Sequence, residues 1–144
     1  MRALLDVNVI ITLLDPDHPA AQVAHQWLST HTGGTATCPI VQNGALRVMT
    51  QASYPQGGVP LTLRQVLAAL RKTLDADHHE FWPDAVSLAD AQLFDQDKIL
   101  GHLQLTAIYL LGLAVSHNAC LVTLDRNIPI SAVRGAQAAN LLIL

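Results

Sequence analysis

Asp6 follows the apolar run Ala3-Leu4-Leu5, and Asp125 follows Leu121-Val122-Thr123-Leu124. Each acid closes a short apolar stretch of the kind that forms a buried strand. In open α/β sheets, ligands gather beyond the carboxyl ends of the strands, near the point where strand order reverses. If these two strands are neighbours, their carboxylates converge there. Paired carboxylates suit a hard divalent cation such as Mg²⁺ or Mn²⁺, which takes oxygen ligands and keeps waters for a substrate phosphate. Such an ion activates water and stabilises charge on a phosphodiester. The competing reading makes each aspartate a cap for the turn or helix that follows it. For one aspartate alone the cap is preferred; two at matching strand ends leave the readings even.

Other chemistry-bearing residues are weaker candidates. His78-His79-Glu80 is the only cluster among seven histidines, and its place after a helix end reads as a solvated polar turn. Asp75, Asp77 and Asp84 lie around that same turn and are expected on the surface, as are Asp95, Asp97 and Lys98. Arg47 is in a position to face phosphate, although a solvated arginine is the simpler reading. The chain has no HExxH, phosphate loop, GxGxxG or GxSxG. Without a glycine-rich loop after the first strand, a nucleotide-binding α/β domain is disfavoured.

The elements that would position the two acids alternate between strand and helix. A buried parallel strand is expected to end near Asp6, within the apolar residues 3–5 and 7–11. Asp17 can cap a helix to about residue 28, with Ala21, Ala24, Trp27 and Leu28 at helical spacing. A short strand over 35–37 precedes a helix that starts at Pro39, a favourable first-turn residue, and reaches about Gln51. Residues 54–60 hold two prolines and two glycines and read as a loop. Thr62 then caps an amphipathic helix with Leu63, Val66, Leu67, Leu70 and Leu74 on one face. Phe81-Trp82 reads as a short strand and 87–94 as a short helix. An almost wholly apolar helix is expected over 106–116, ended by His117-Asn118. Strands over 121–124 and 139–144 complete the pattern. Alternation of this kind implies a parallel sheet covered on both faces.

The chain has 144 residues, 51% hydrophobic and 13% charged, which fits one domain (1–144) with a substantial core and excludes a disordered chain. Its apolar stretches are too short to span a membrane, and Asp6 and Asn8 interrupt the N-terminus before a signal sequence develops, so a cytoplasmic location is expected. Cys38 and Cys120 lack metal-ligand spacing and read as free thiols in apolar surroundings. A net charge of −3 argues against extensive duplex binding. It does not exclude a nuclease, because bound cations reverse the field of an acidic site. Few charges and few aromatics leave apolar surface, so a homodimer or a tight protein complex is expected. Trp27 and Leu46 are candidates for partner contact, with burial in the core as the simpler account.

Four stretches, in order, resemble the motifs of PIN-domain proteins, specifically the VapC-type toxins of bacterial toxin–antitoxin pairs. They are Leu4-Leu5-Asp6-Val7-Asn8, Cys38-Pro39-Ile40-Val41-Gln42-Asn43-Gly44-Ala45-Leu46-Arg47-Val48, the run from Leu105-Thr106-Ala107 through Leu113-Ala114, and Leu121-Val122-Thr123-Leu124-Asp125-Arg126. The likeness extends along essentially the whole chain, including Phe81-Trp82-Pro83-Asp84 and Gly101-His102. It implies a PIN-like (Rossmann-like) α/β fold, a central parallel sheet flanked by helices. It further implies a Mg²⁺ or Mn²⁺ site, RNA endonuclease activity, a VapB-like antitoxin and a homodimer. Carried over by motif, Asp6 is a primary metal ligand, Asp125 a further acidic member, and Asn8 and Thr123 support them.

Two positions depart from the family pattern. The second acidic position, usually glutamate, is Gln42, which keeps a carbonyl oxygen but no charge. The third motif, usually Thr-Asp, reads Thr106-Ala107, and alanine neither ligates nor balances a cation. An aspartate there would also be favoured by the positive end of its helix. Each lost charge-assisted contact is worth ~1.5–3 kcal/mol, so metal binding is expected to be weakened tenfold or more and the chain to be inactive or nearly so. Ala107 has two possible origins. A deliberate Asp→Ala change that abolishes toxicity is favoured, because Thr106, Tyr109, Asp6, Asn8 and Asp125 are otherwise intact; natural decay is the other. The leading expectation is a toxin ribonuclease, and the alternative a non-catalytic PIN-like module that binds protein or RNA.

Overall fold

The computed structural model describes residues 1–54 and 61–144 and places five short strands in one parallel sheet. The strands are β1 (Ala3–Leu5), β2 (Thr35–Thr37), β3 (His79–Phe81), β4 (Cys120–Thr123) and β5 (Leu141–Ile143), in the order β3-β2-β1-β4-β5. The chain builds outward from β1 through β2 to β3, then returns to the other side of β1 with β4 and β5. The reversal falls between β1 and β4, which pair Ala3 with Cys120, Leu4 with Leu121 and Leu5 with Val122. Asp6 and Asp125 therefore leave the sheet at the same end and on adjacent strands. This is the α/β sheet flanked by helices that the residue pattern implies.

Five helices cover the sheet: α1 (Val7–Leu14), α2 (Ala21–Thr30), α3 (Pro39–Met49), α4 (Leu63–Leu74) and α5 (Leu105–Ser116). Helices α1 to α4 pack on one another, while α5 packs on β1 and β4. The middle of α5, from Ile108 to Ala114, is buried throughout, and so are Val9, Ile10 and Ile11 of α1. Phe94 is fully buried and sits on α5 at Gly112, where an added Cβ would come within 2.3 Å of its ring. Helix α4 begins as its sequence indicates, with Thr62 and Gln65 forming a capping box.

Several local expectations differ from the structure. Residues 7–11 do not extend a strand: Asp6 accepts the Val7 N–H and the chain turns straight into α1. A short apolar run cannot be assigned to strand or helix from its periodicity alone. Asp17 does not cap α2, which starts four residues later. The ring of His18 accepts the Ala20 N–H at 3.1 Å, and Asp17 instead donates its own N–H to Asp15. No helix forms over 87–94, where Ser87 and Asp90 accept N–H groups of Ala89 and Gln92 and hold the chain in turns. His79 and Glu80 belong to β3 rather than to a loose turn, and Trp82 lies just beyond that strand. Most of the loop expected over 54–60 lies outside the described residues. Trp27 and Leu46 are half-buried against the core, the simpler of the two roles considered for them. Cys38 and Cys120 are free thiols.

Candidate functional site

The two aspartates anticipated at the strand ends are joined by a tight polar cluster. Asp6, only 6% exposed, uses both carboxylate oxygens. Oδ1 accepts the Val7 N–H at 2.6 Å; Oδ2 accepts the Thr123 hydroxyl at 2.6 Å and the Asn8 amide at 3.0 Å. Asn8 reaches across to β4, donating to Thr123 Oγ1 and accepting the Leu124 N–H at 3.1 Å. Thr123 Oγ1 in turn accepts the Asp125 N–H at 3.0 Å. Asp125 is half-buried and its Oδ1 accepts the Asn127 N–H, so the cap reading describes part of what both acids do.

Electrostatics adds what capping does not explain. Burial pushes the Asp6 carboxyl above its ordinary value, and the nearby charge of Asp125 pushes it the same way. The bonds from Thr123, Val7 and Asn8 oppose this without cancelling it. Among the described residues the salt bridges are Arg2 with Glu80 and Arg134 with Asp95, both away from this pair. Two carboxylates on adjacent strand ends, one buried and neither neutralised by a side-chain cation among the described residues, have the oxygen chemistry a hard dication takes.

Gln42 stands on the first turn of α3, and its amide donates to Thr37 Oγ1 at 2.9 Å rather than to an aspartate. The same hydroxyl contacts His79 Nε2, while His79 Nδ1 meets Thr35 Oγ1, so one imidazole bridges alternate residues of β2. This support was missed in the sequence, although threonines two apart on a strand share a face and offered a signal. Burial also lowers the tendency of His79 to take a proton, and Arg2 acts in the same direction. Ala107 occupies the first turn of α5, a turn with no acidic residue, and is half-buried against the core. Among the described residues no group of three or more His, Cys, Asp or Glu side chains gathers around one point.

The remaining candidates separate from this cluster. Asp84 is exposed, and its charge acts on Cys38, whose thiol burial pushes up to about 12, and on Tyr109, whose hydroxyl is pushed up chiefly by burial. Asp75, Asp77, Asp97 and Lys98 are exposed. Arg47 is exposed on α3 and lines a cavity of about 350 Å³ beside Val7 and Thr106.

Fold and site together define a class: a parallel α/β protein with an acidic centre where strand order reverses. No family model matches the chain. It is 39% identical over 145 residues to Ribonuclease VapC44 of Mycobacterium tuberculosis, an alignment that covers all of both proteins. It is 38% identical to Ribonuclease VapC29 of the same organism, over 87% of this chain and 86% of that one. The chain belongs to the VapC family of PIN-domain ribonuclease toxins. Among solved structures, Mycobacterium tuberculosis VapC20, described as a sarcin–ricin loop cleaving toxin, aligns with a TM-score of 0.58 at 8% identity, covering 81% of this chain and 84% of that one. VapBC2 from Rickettsia felis, bound to a DNA fragment from its promoter, aligns with a TM-score of 0.58 at 16% identity, covering 100% and 98%. At such low identities these two show the fold alone.

Proposed function

We propose that this chain is the toxin of a type II toxin–antitoxin pair, a metal-dependent RNA endonuclease whose activity is suppressed by Ala107. The observation that carries the reading is the buried Asp6, within reach of the charge of Asp125 at the strand reversal, in a chain related end to end to named ribonucleases. Asp6 and Asp125 would hold Mg²⁺ or Mn²⁺, with Gln42 contributing at most a neutral carbonyl. Once bound, the ion supplies Lewis-acid stabilisation of charge developing on a phosphodiester. The chain's own part is positioning: Asn8 and Thr123 lock the Asp6 carboxylate in one orientation and tie it to β4. At position 107 an acid would stand in the first turn of α5, where the helix end favours negative charge.

Its partners in this reading are a VapB-like antitoxin, an RNA substrate and a second copy of the chain. Leu100 and Leu103, 84% and 86% exposed just before α5, are apolar surface that such a protein interface would cover. No helix among the described residues is long and apolar enough to cross a membrane. In this reading the chain is also a single domain (1–144) that works in the cytoplasm. A second reading, a non-catalytic module that keeps the antitoxin or RNA surface, is favoured by the pairing of Ala107 with Gln42, which removes two of the family's acidic positions.

Titration of Mn²⁺ by calorimetry into this chain and into Ala107→Asp, with RNA cleavage followed in parallel, separates the two. Tight binding and cleavage by the aspartate variant alone establish an inactivated toxin nuclease. If neither protein binds metal or cuts RNA, the binding module takes its place.

A further inference from the structure

Beside Asp6, α1, α3 and the start of α5 line the half-open recess of about 350 Å³. Its lining begins one residue after Asp6, at Val7, and ends one residue before Ala107, at Thr106. Ile40 and Val48 complete an apolar floor with Val7, while Asn43 and Arg47 stand exposed along α3. The floor exists because α1 and α3 approach closely at Gly44, where an added Cβ would lie 2.8 Å from Val7 Cγ2. Arg47 has no salt-bridge partner among the described residues, unlike Arg2 and Arg134. A second arginine, Arg126, is exposed directly after Asp125.

We infer that this cavity is a nucleotide subsite, taking the base of a single-stranded RNA residue next to the phosphate presented to Asp6 and Asp125. Arg47 holds that residue's backbone phosphate. The inference rests on the ribonuclease reading and adds to it which residues grip the substrate and in what form.

Three features favour this occupant. A recess that pairs apolar side chains (Val7, Ile40, Val48) with polar ones (Asn43, Arg47, Thr106) suits a flat heterocycle with a polar edge, and the Asn43 amide offers both a donor and an acceptor to that edge. Guanidinium matches phosphate in a two-pronged geometry. The chain carries a net charge of −3, so attraction for RNA has to be local, as a free arginine beside a recess provides. A base enters such a recess only when it is unstacked, which selects single-stranded or looped RNA over a duplex.

The test uses the full chain with EDTA present, so that binding is read without cleavage. A fluorescein-labelled single-stranded RNA hexamer of mixed sequence is titrated by anisotropy at several salt concentrations. Arg47→Ala is expected to weaken binding about tenfold and to lower the salt slope by about 0.7, the amount for one phosphate contact on a single strand. Arg47→Lys should recover the slope and part of the affinity. Val48→Trp, which fills the recess without changing charge, should weaken binding at an unchanged slope. Arg64→Ala on α4 is the control, and thermal melts confirm that each variant is folded. Binding that is absent, or equally sensitive to Arg47 and Arg64, overturns the subsite. The same variants in the Ala107→Asp background keep the two readings apart. Cleavage with a KM indifferent to Arg47 removes the subsite and leaves the nuclease. Arg47-dependent binding without any cleavage leaves the subsite and removes the metal nuclease.

Discussion

The carboxyl edge of the sheet has two unequal halves. On the β1–β4 side, Asp6, Asn8, Thr123 and Asp125 form a closed set in which every Asp6 oxygen is bonded and Thr123 Oγ1 both donates and accepts. On the α3–α5 side, Gln42 turns its amide to Thr37, and Ala107 offers no polar atom. The first half holds the negative charge at the cost of burying it; the second has the framework but none of the charge. Pre-organisation and charge are thus separable in this site. Gln42 and Ala107 stand on the first turns of helices, whereas the β1–β4 cluster is part of the sheet's own end.

Restoring the weak half should produce the largest change. Gln42→Glu combined with Ala107→Asp adds two charged ligands, each worth ~1.5–3 kcal/mol, so Mn²⁺ affinity should rise on the order of a hundredfold or more by calorimetry. An unchanged affinity would mean that the two halves do not address one ion. Breaking the strong half should cost stability instead. Thr123→Val removes the donor to Asp6 and the acceptor for Asn8 and Asp125, and should lower unfolding stability by ~2–3 kcal/mol in urea titrations. The helix that carries Ala107 is held against Phe94 through Gly112, so Gly112→Ala should destabilise by ~1–3 kcal/mol through overpacking.

The smallest effect is expected from the support beneath Gln42. Burial lowers the proton affinity of His79 in the folded chain, so the unfolded chain binds the extra proton more readily. Its contribution is complete above the ordinary histidine value of 6.5 and declines as pH falls below it toward the depressed folded value. His79→Gln should therefore flatten the loss of Tm between about pH 7 and pH 5 relative to the parent, a difference that isolates this ring from the other histidines.

Much of this arrangement was legible in the residues. Thr62 as an N-cap announced α4, Pro39 opened α3, and the apolar run before His117 marked a buried helix, each through local rules of capping and composition. Helix α1 was misread because Ala3 to Ile11 reads as one β-branched apolar run, although Asn8 and Thr12, four apart on one helix face, carried a helical signal. The false helix over 87–94 has the opposite cause: local hydrogen bonds from Ser87 and Asp90 outweigh a pattern that looks helical. In the site, Asp6 and Asp125 stood out by their matching strand ends, and Asn8 and Thr123 through the family likeness, while the Thr37–His79 support did not.

By itself the sequence determined the alternation of strands and helices, the family, and the charge missing at positions 42 and 107, because these depend on residue types and short-range spacing. Only the tertiary structure decided that β1 and β4 are neighbours, that Asp6 is buried and bonded to Thr123 near the charge of Asp125, and that Gly44 lets α1 and α3 approach beside a recess lined by Arg47. Those outcomes join residues as far apart as Asp6 and Thr123. Their geometry comes from packing the whole sheet and its helices, which no local stretch of chain encodes.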